Sequence, residues 1–314
     1  MICAFTVVAC ESFGAATPPG ADPEVEDGGG GGSAPGPEAG AGDGGSNPAP
    51  ACDRSKPFGA PKLVAGVASE FIEGGGSLSP DGAFLLYHSN RDTRSDKRAL
   101  FIAERPSPGA PFEGATPIAT DPNLTVNDPH LLPDGTLFFS VAEDQGALRI
   151  ESATLTAERT LVHRAAVPAL ASTAETIQPY LTRTRIYFAS KRGGGGNYHI
   201  YSAAKRTGGG FDDPVLVDEL AGTGWDWRPV VTPDDLTIYF SRSPSGSMSE
   251  LDVYVARRDG PNDKFGPAER VAELSAPDVV DNPTWVSPDE CTIYFDSQRR
   301  QNASGDVWMA ERLP

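Results

Sequence analysis

Thr232-Pro233-Asp234-Asp235-Leu236-Thr237-Ile238-Tyr239-Phe240 is a turn that runs straight into a strand, and its recurrence decides the fold. Proline presets φ and the Asp side chain bonds nearby backbone, so Thr-Pro-Asp makes a tight turn. Ile-Tyr-Phe is β-branched and aromatic, the composition of a strand. The unit returns as Leu78-Ser79-Pro80-Asp81-Gly82 before Phe84-Leu85-Leu86-Tyr87, and as Leu132-Pro133-Asp134-Gly135 before Leu137-Phe138-Phe139. It returns again as Ser287-Pro288-Asp289 before Ile293-Tyr294-Phe295. Another copy keeps Ile186-Tyr187-Phe188, with Thr182-Arg183 in place of the usual turn. Four copies are preceded by a proline: Pro129, Pro179, Pro229 and Pro283. The last aromatic falls at 87, 139, 188, 240 and 295, in steps of 52, 49, 52 and 55 residues. A period near 50 with about four strands fits a propeller blade, whereas a helical solenoid would show an apolar period near 3.6.

Working outward, each aromatic strand is followed by a polar loop and a third strand. These strands include Leu100-Phe101-Ile102, Leu148-Arg149-Ile150, His199-Ile200-Tyr201, Val253-Tyr254-Val255 and Val307-Trp308-Met309. A fourth strand follows a Phe…Pro…Val/Ile pattern: Phe112, Pro117, Ile118; Phe211, Pro214, Val217; Phe265, Pro267, Val271. In the second copy Leu161-Val162 is its equivalent. The fifth copy reaches Pro314 just after its third strand, yet Phe58, Pro61 and Val64 carry the fourth-strand pattern with no strands before them. The reading is an all-β, five-bladed propeller of four-stranded antiparallel blades, in which residues 57–66 complete the last blade. Closure removes two exposed sheet edges.

Cys291 stands where the second strand of the last blade begins, and Cys52 just before the closing strand. Alternate strands of an antiparallel blade run the same way, so the two starts share a side. A Cys52–Cys291 disulfide would staple the closure; two free thiols are the alternative, because connectivity does not follow from sequence.

Residues 2–9 form a short apolar run, too short to span a bilayer as a helix, that ends in Val7-Val8-Ala9-Cys10. It resembles a bacterial lipoprotein signal, in which the cysteine is lipidated after cleavage. No Lys or Arg precedes the run, so the basic part of such a signal is missing, and a chance cysteine is the plainer alternative. Residues 1–10 are read as the signal segment and 11–51 as a Gly/Pro/Ala-rich acidic linker. Such a composition buries too little apolar surface to offset chain entropy. The propeller is assigned to 52–314.

The chain carries a formal charge of −17. Residues 11–56 hold 8 acidic and 2 basic side chains, and 57–314 hold 35 and 24. This balance excludes a nucleic-acid binder, which needs clustered Lys and Arg. No Cys-x-x-Cys pair and no His-x-x-x-His spacing occurs, so no metal or cofactor is expected.

The Ser-Pro-Asp-Gly turn with its apolar-aromatic strand resembles the WD40-like propeller repeat of the TolB family, over about 57–314 and five times. The resemblance implies an envelope propeller that acts by binding proteins. The chain departs from TolB's six blades and added α/β domain, so no particular partner carries over.

Catalytic motifs are absent. Ser243-Pro244-Ser245-Gly246-Ser247 lacks the strand-to-helix context of a nucleophile elbow. Lys191-Arg192 with Gly193 to Gly196 lacks the Gly-Lys-Ser/Thr ending of a phosphate loop. The funnel-facing candidates lie near the starts of the innermost strands: Asp128, Glu175, Gln178, Asp226, Arg228, Asp281 and Asn282. Paired carboxylates there could serve glycoside hydrolysis; solvated or turn-capping roles are the plainer account. Trp225 and Trp227 flank Asp226 and could stack on a sugar or peptide, or simply pack the rim. The expectation is a monomeric, non-enzymatic envelope protein. Its partner is a protein or peptide, and it touches the membrane only through a lipid anchor. A carbohydrate-binding or glycan-cleaving propeller is the alternative.

Overall fold

The repeated turns behave as their chemistry dictates. Asp81 Oδ1 accepts from Ser79 Oγ and the Ala83 N–H, Asp234 Oδ1 from Thr232 Oγ and the Leu236 N–H, and Asp289 Oδ1 from Ser287 Oγ and the Cys291 N–H. Each turn thereby delivers an apolar strand in a fixed register. The computed structural model describes residues 52–92, 97–143, 146–247, 249–300 and 305–313. All of them belong to the compact unit Pro48–Pro314. Cys10, the signal segment and the linker up to residue 51 lie outside the described residues.

Five four-stranded antiparallel sheets are present among the described residues. The first is β2 (Glu73–Leu78), β3 (Phe84–Ser89), β4 (Ala99–Glu104) and β5 (Glu113–Pro117). The second is β6 (Leu124–Leu131), β7 (Thr136–Glu143), β8 (Arg149–Leu155) and β9 (Leu161–Ala166). The third is β10 (Thr176–Leu181), β11 (Arg185–Ser190), β12 (His199–Ala204) and β13 (Val215–Leu216). The fourth is β14 (Trp225–Val231), β15 (Thr237–Ser243), β16 (Asp252–Arg257) and β17 (Glu269–Arg270). The fifth is β18 (Asp281–Val286), β19 (Thr292–Ser297), β20 (Asp306–Glu311) and, from the other end of the domain, β1 (Lys62–Leu63). Inner strands β2, β6, β10, β14 and β18 touch in that order and β18 returns to β2, which makes a ring.

Closure runs as the sequence pattern requires. Lys62 pairs with Met309 and Leu63 with Trp308, and the Val64 and Gly59 N–H groups donate to the Val307 and Glu311 carbonyls. Phe58 does the work of the fourth-strand phenylalanines. Arg312 stacks over it at 4.1 Å, as Arg258 stacks over Phe265 at 4.2 Å and Arg105 over Phe112 at 4.9 Å. Arg312 also donates to the Lys56 carbonyl and to the Tyr239 hydroxyl of the neighbouring blade. Arg258 does the same for Tyr187. Tyr187 and Tyr239 thus carry a polar tie at their tips from the arginine of the next blade. The Cys52 and Cys291 sulfurs lie 2.15 Å apart with Cα atoms at 5.6 Å, joined as a disulfide beside this closing segment.

Candidate functional site

The inner strands are irregular at one level. Every β-ladder between first and second strands shifts register there: at Gly74/Ser77, Asn127/His130, Ile177/Tyr180, Trp227/Val230 and Pro283/Trp285. Asp128, Gln178 and Arg228 sit at the shift with φ of 51°, 58° and 52°, each just before a proline. Gly75, with φ 66°, takes their place in the first blade. Left-handed backbone at non-glycine residues costs about 1–3 kcal/mol each and persists only where surroundings hold it.

The surroundings here are a chain of bonds from blade to blade. The freed N–H of each bulge residue donates across to its neighbour. Gly75 donates to Asp296 Oδ1 at 2.9 Å, Asp128 to His88 Nδ1 at 3.2 Å, Gln178 to Ser140 Oγ at 2.8 Å and Arg228 to Gln178 Oε1 at 2.9 Å. In the fifth blade Asn282 Oδ1 accepts from Ser241 Oγ at 2.7 Å and from Trp227 Nε1 at 3.1 Å. His88, Ser140, Ser241 and Asp296 each stand one residue after the last signature aromatic. That position is the signal by which the sequence marks them.

Arg228 reaches across this ring. Its Nη1 lies 3.1 Å from Asp128 Oδ1 and 2.8 Å from Asp296 Oδ2. Burial pushes the Asp296 carboxyl up to about 6, against the opposing pull of Arg228 and the Gly75 N–H. His88 is held well below its ordinary value by burial and by the nearby Arg98 and Arg228 charges, so it is neutral. Since its Nδ1 accepts the Asp128 N–H, its proton sits on Nε2.

A mouth of about 420 Å³ opens beside this cluster, lined by Gly74, His88, Arg98, Trp227, Asp296 and Gln298 among others. Glycine makes the room. A methyl group at Gly74 would come 2.7 Å from His88 Nε2 and 3.0 Å from Asp296 Oδ2.

The sequence-predicted residues divide. Asp128, Gln178, Arg228 and Asn282 meet at the axis and mouth. Asp226 and Asp281 do not present their carboxylates there: both are buried inside their blades. Asp226 binds Arg242 Nε at 2.6 Å and the Gly222 N–H, and Asp281 binds Arg299 Nη2 at 2.7 Å and the Ala276 N–H. The cause is a structural arginine that recurs in four of the five blades. Arg91, Arg192, Arg242 and Arg299 each stack on an aromatic of the second strand and one of the third. Each also donates to a buried turn carbonyl, at Val67, Leu170, Leu220 and Leu274. Asp226 and Asp281, like Glu73 under Arg91, are their counterions. Glu175 is half-buried and accepts from Lys191 Nζ and Tyr198 Oη, and these bonds outweigh its burial and lower its pKa. Trp225 and Trp227 pack on each other at 5.9 Å and on Tyr198 at 5.9 and 5.4 Å. Trp227 also lines the mouth.

No family model matches the chain, and no curated protein matches it. Solved structures are similar in fold. A thermostable family-43 glycoside hydrolase superposes with a TM-score of 0.53 at 13% identity, covering 80% of this chain and 91% of that one. The endo-arabinase from Bacteroides thetaiotaomicron gives 0.52 at 13% identity, covering 81% and 98%. TolB from Acinetobacter baumannii gives 0.46 at 16% identity over 82% of this chain, which spans only 55% of its length. At these identities the likeness is one of propeller scaffold, and such a scaffold hosts unrelated functions.

Proposed function

We propose that this chain is a non-enzymatic, envelope-associated propeller that binds a protein or peptide segment at the mouth beside Arg228, and that Cys10 anchors it to a membrane through lipid. The observation that carries the reading is the commitment of the carboxylates. Asp128 and Asp296 grip one guanidinium nitrogen, so the space an attacking water or glycosidic oxygen would need between them is filled by Arg228. Glu175, Asp226 and Asp281 are held by Lys191, Arg242 and Arg299. What remains is a concave mouth with an aromatic wall and a few placed polar groups, the make-up of a binding site. Among the described residues no helix is long and apolar enough to cross a membrane.

Glycan cleavage is the second reading, favoured by the raised Asp296 carboxyl beside Trp227 and by the two hydrolases of similar fold. One experiment separates them. The full chain and its Gln298→Trp variant, which fills the mouth, are immobilised against envelope fractions, and both are assayed for sugar release from a glycan panel. Capture of a partner by the wild type and its loss in the variant supports binding. Equal capture by both, or sugar release that Asp296→Asn abolishes, overturns it.

A further inference from the structure

A second, smaller cavity of about 30 Å³ lies where all five inner strands converge, lined by Gly75, Asp128, His130, Gln178, Arg228 and Thr284 among others. Its prolines (Pro129, Pro179, Pro229 and Pro283) bring no N–H to it. Besides Asp128 Oδ1, which has its ion pair with Arg228 Nη1 but no hydrogen bond, three buried polar atoms of the lining residues have no hydrogen-bond partner among the described residues: His130 Nδ1, Arg228 Nε and Thr284 Oγ1. A buried polar atom left unpaired costs about 1–3 kcal/mol, so three around one small space demand an account.

We infer that this cavity is a built water site, in which one or two ordered waters bond His130 Nδ1, Arg228 Nε and Thr284 Oγ1 and tie the blades at the axis. The size is right, since a water needs about 10–15 Å³ of such space. The polarity is right as well. His130 Nε2 lies 3.2 Å from the Leu181 carbonyl, which can only accept, so Nε2 carries the proton and Nδ1 is a bare acceptor. Arg228 Nε is only a donor, and Thr284 Oγ1 is either. Donor, acceptor and hydroxyl on the residues that line one small cavity suit a molecule that both gives and takes. A cation would face the Arg228 guanidinium, and an anion the Asp128 carboxylate and the lone pair of Nδ1.

The test is diffraction from crystals of the full chain at a resolution where waters are unambiguous, together with a Thr284→Val variant. The expected result is solvent density within about 2.7–3.2 Å of all three atoms. In Thr284→Val the density is lost or moved, and Tm falls by a few degrees. An axis without density overturns the inference, as does a peak held at metal–oxygen distances of about 2.0–2.6 Å. Thr284→Val with both density and Tm unchanged also overturns it. If the variant does not fold, the wild-type density decides alone.

Discussion

Arg228 is the residue on which the axis turns. It holds two carboxylates that are each nearly buried, and its own N–H bonds the Gln178 side chain. Removing one partner of a buried ion pair leaves a charge uncompensated, at a cost of about 3–5 kcal/mol. Arg228→Ala is therefore expected to lose that much in urea unfolding; a loss below about 1 kcal/mol would show that the cluster is relaxed or solvated. The pH dependence follows from opposed groups. Folded Asp296, near 6 against 3.8 unfolded, favours the fold as pH falls through about 6, and that contribution is lost as pH rises through it. His88 and His130 act the other way. Burial holds His130 at about 4 against 6.5 and His88 well below it, so their stabilisation is present above 6.5 and is lost as pH falls. Two histidines outweigh one carboxyl, so stability should fall from pH 6.5 toward 4. In Asp296→Asn the acid limb should steepen. Unfolding midpoints measured across that range check this, and a limb that flattens in the variant would contradict it.

At the scale of strands, the sequence was most legible where propensity and function did not compete. The second strands read directly, because β-branched and aromatic residues buried on both faces are what a stacked blade needs. The innermost strand of the first blade, Glu73-Gly74-Gly75-Gly76-Ser77-Leu78, did not read as a strand at all. Glycine has low β-propensity, and only the ring shows that space for His88 and Asp296 requires it here. The partners of Asp226 and Asp281 were not legible for a related reason. Position near a strand start suggested the funnel, while the partner that claims each, Arg242 or Arg299, lies 16 or 18 residues further along the chain. The closing segment was legible because Phe58 keeps its pattern. If its role equals that of Phe265, then Phe58→Ala and Phe265→Ala should cost similar amounts, about 3–5 kcal/mol each. A Phe58→Ala cost well below that of Phe265→Ala would mark the closure as a loosely docked strand.

For the whole molecule, the ring is held shut twice, by β1 on β20 and by Cys52–Cys291, whose loop spans 239 residues of sequence. Replacing both cysteines by serine is expected to cost about 2–5 kcal/mol, read as a lower denaturant midpoint. A midpoint equal to that of the oxidised wild type would remove the staple from the account. Closure is what turns five repeats into one cooperative body, and with it the axis and the mouth. Hydrogen exchange on the oxidised protein, read peptide by peptide, tests this most directly. Residues 57–66 should exchange as slowly as β18–β20, because the Gly59 and Val64 N–H groups are bonded to the last strand. Exchange of 57–66 at the rate of a free chain, with β18–β20 still protected, would show an open ring and contradict the fold on which the binding site depends.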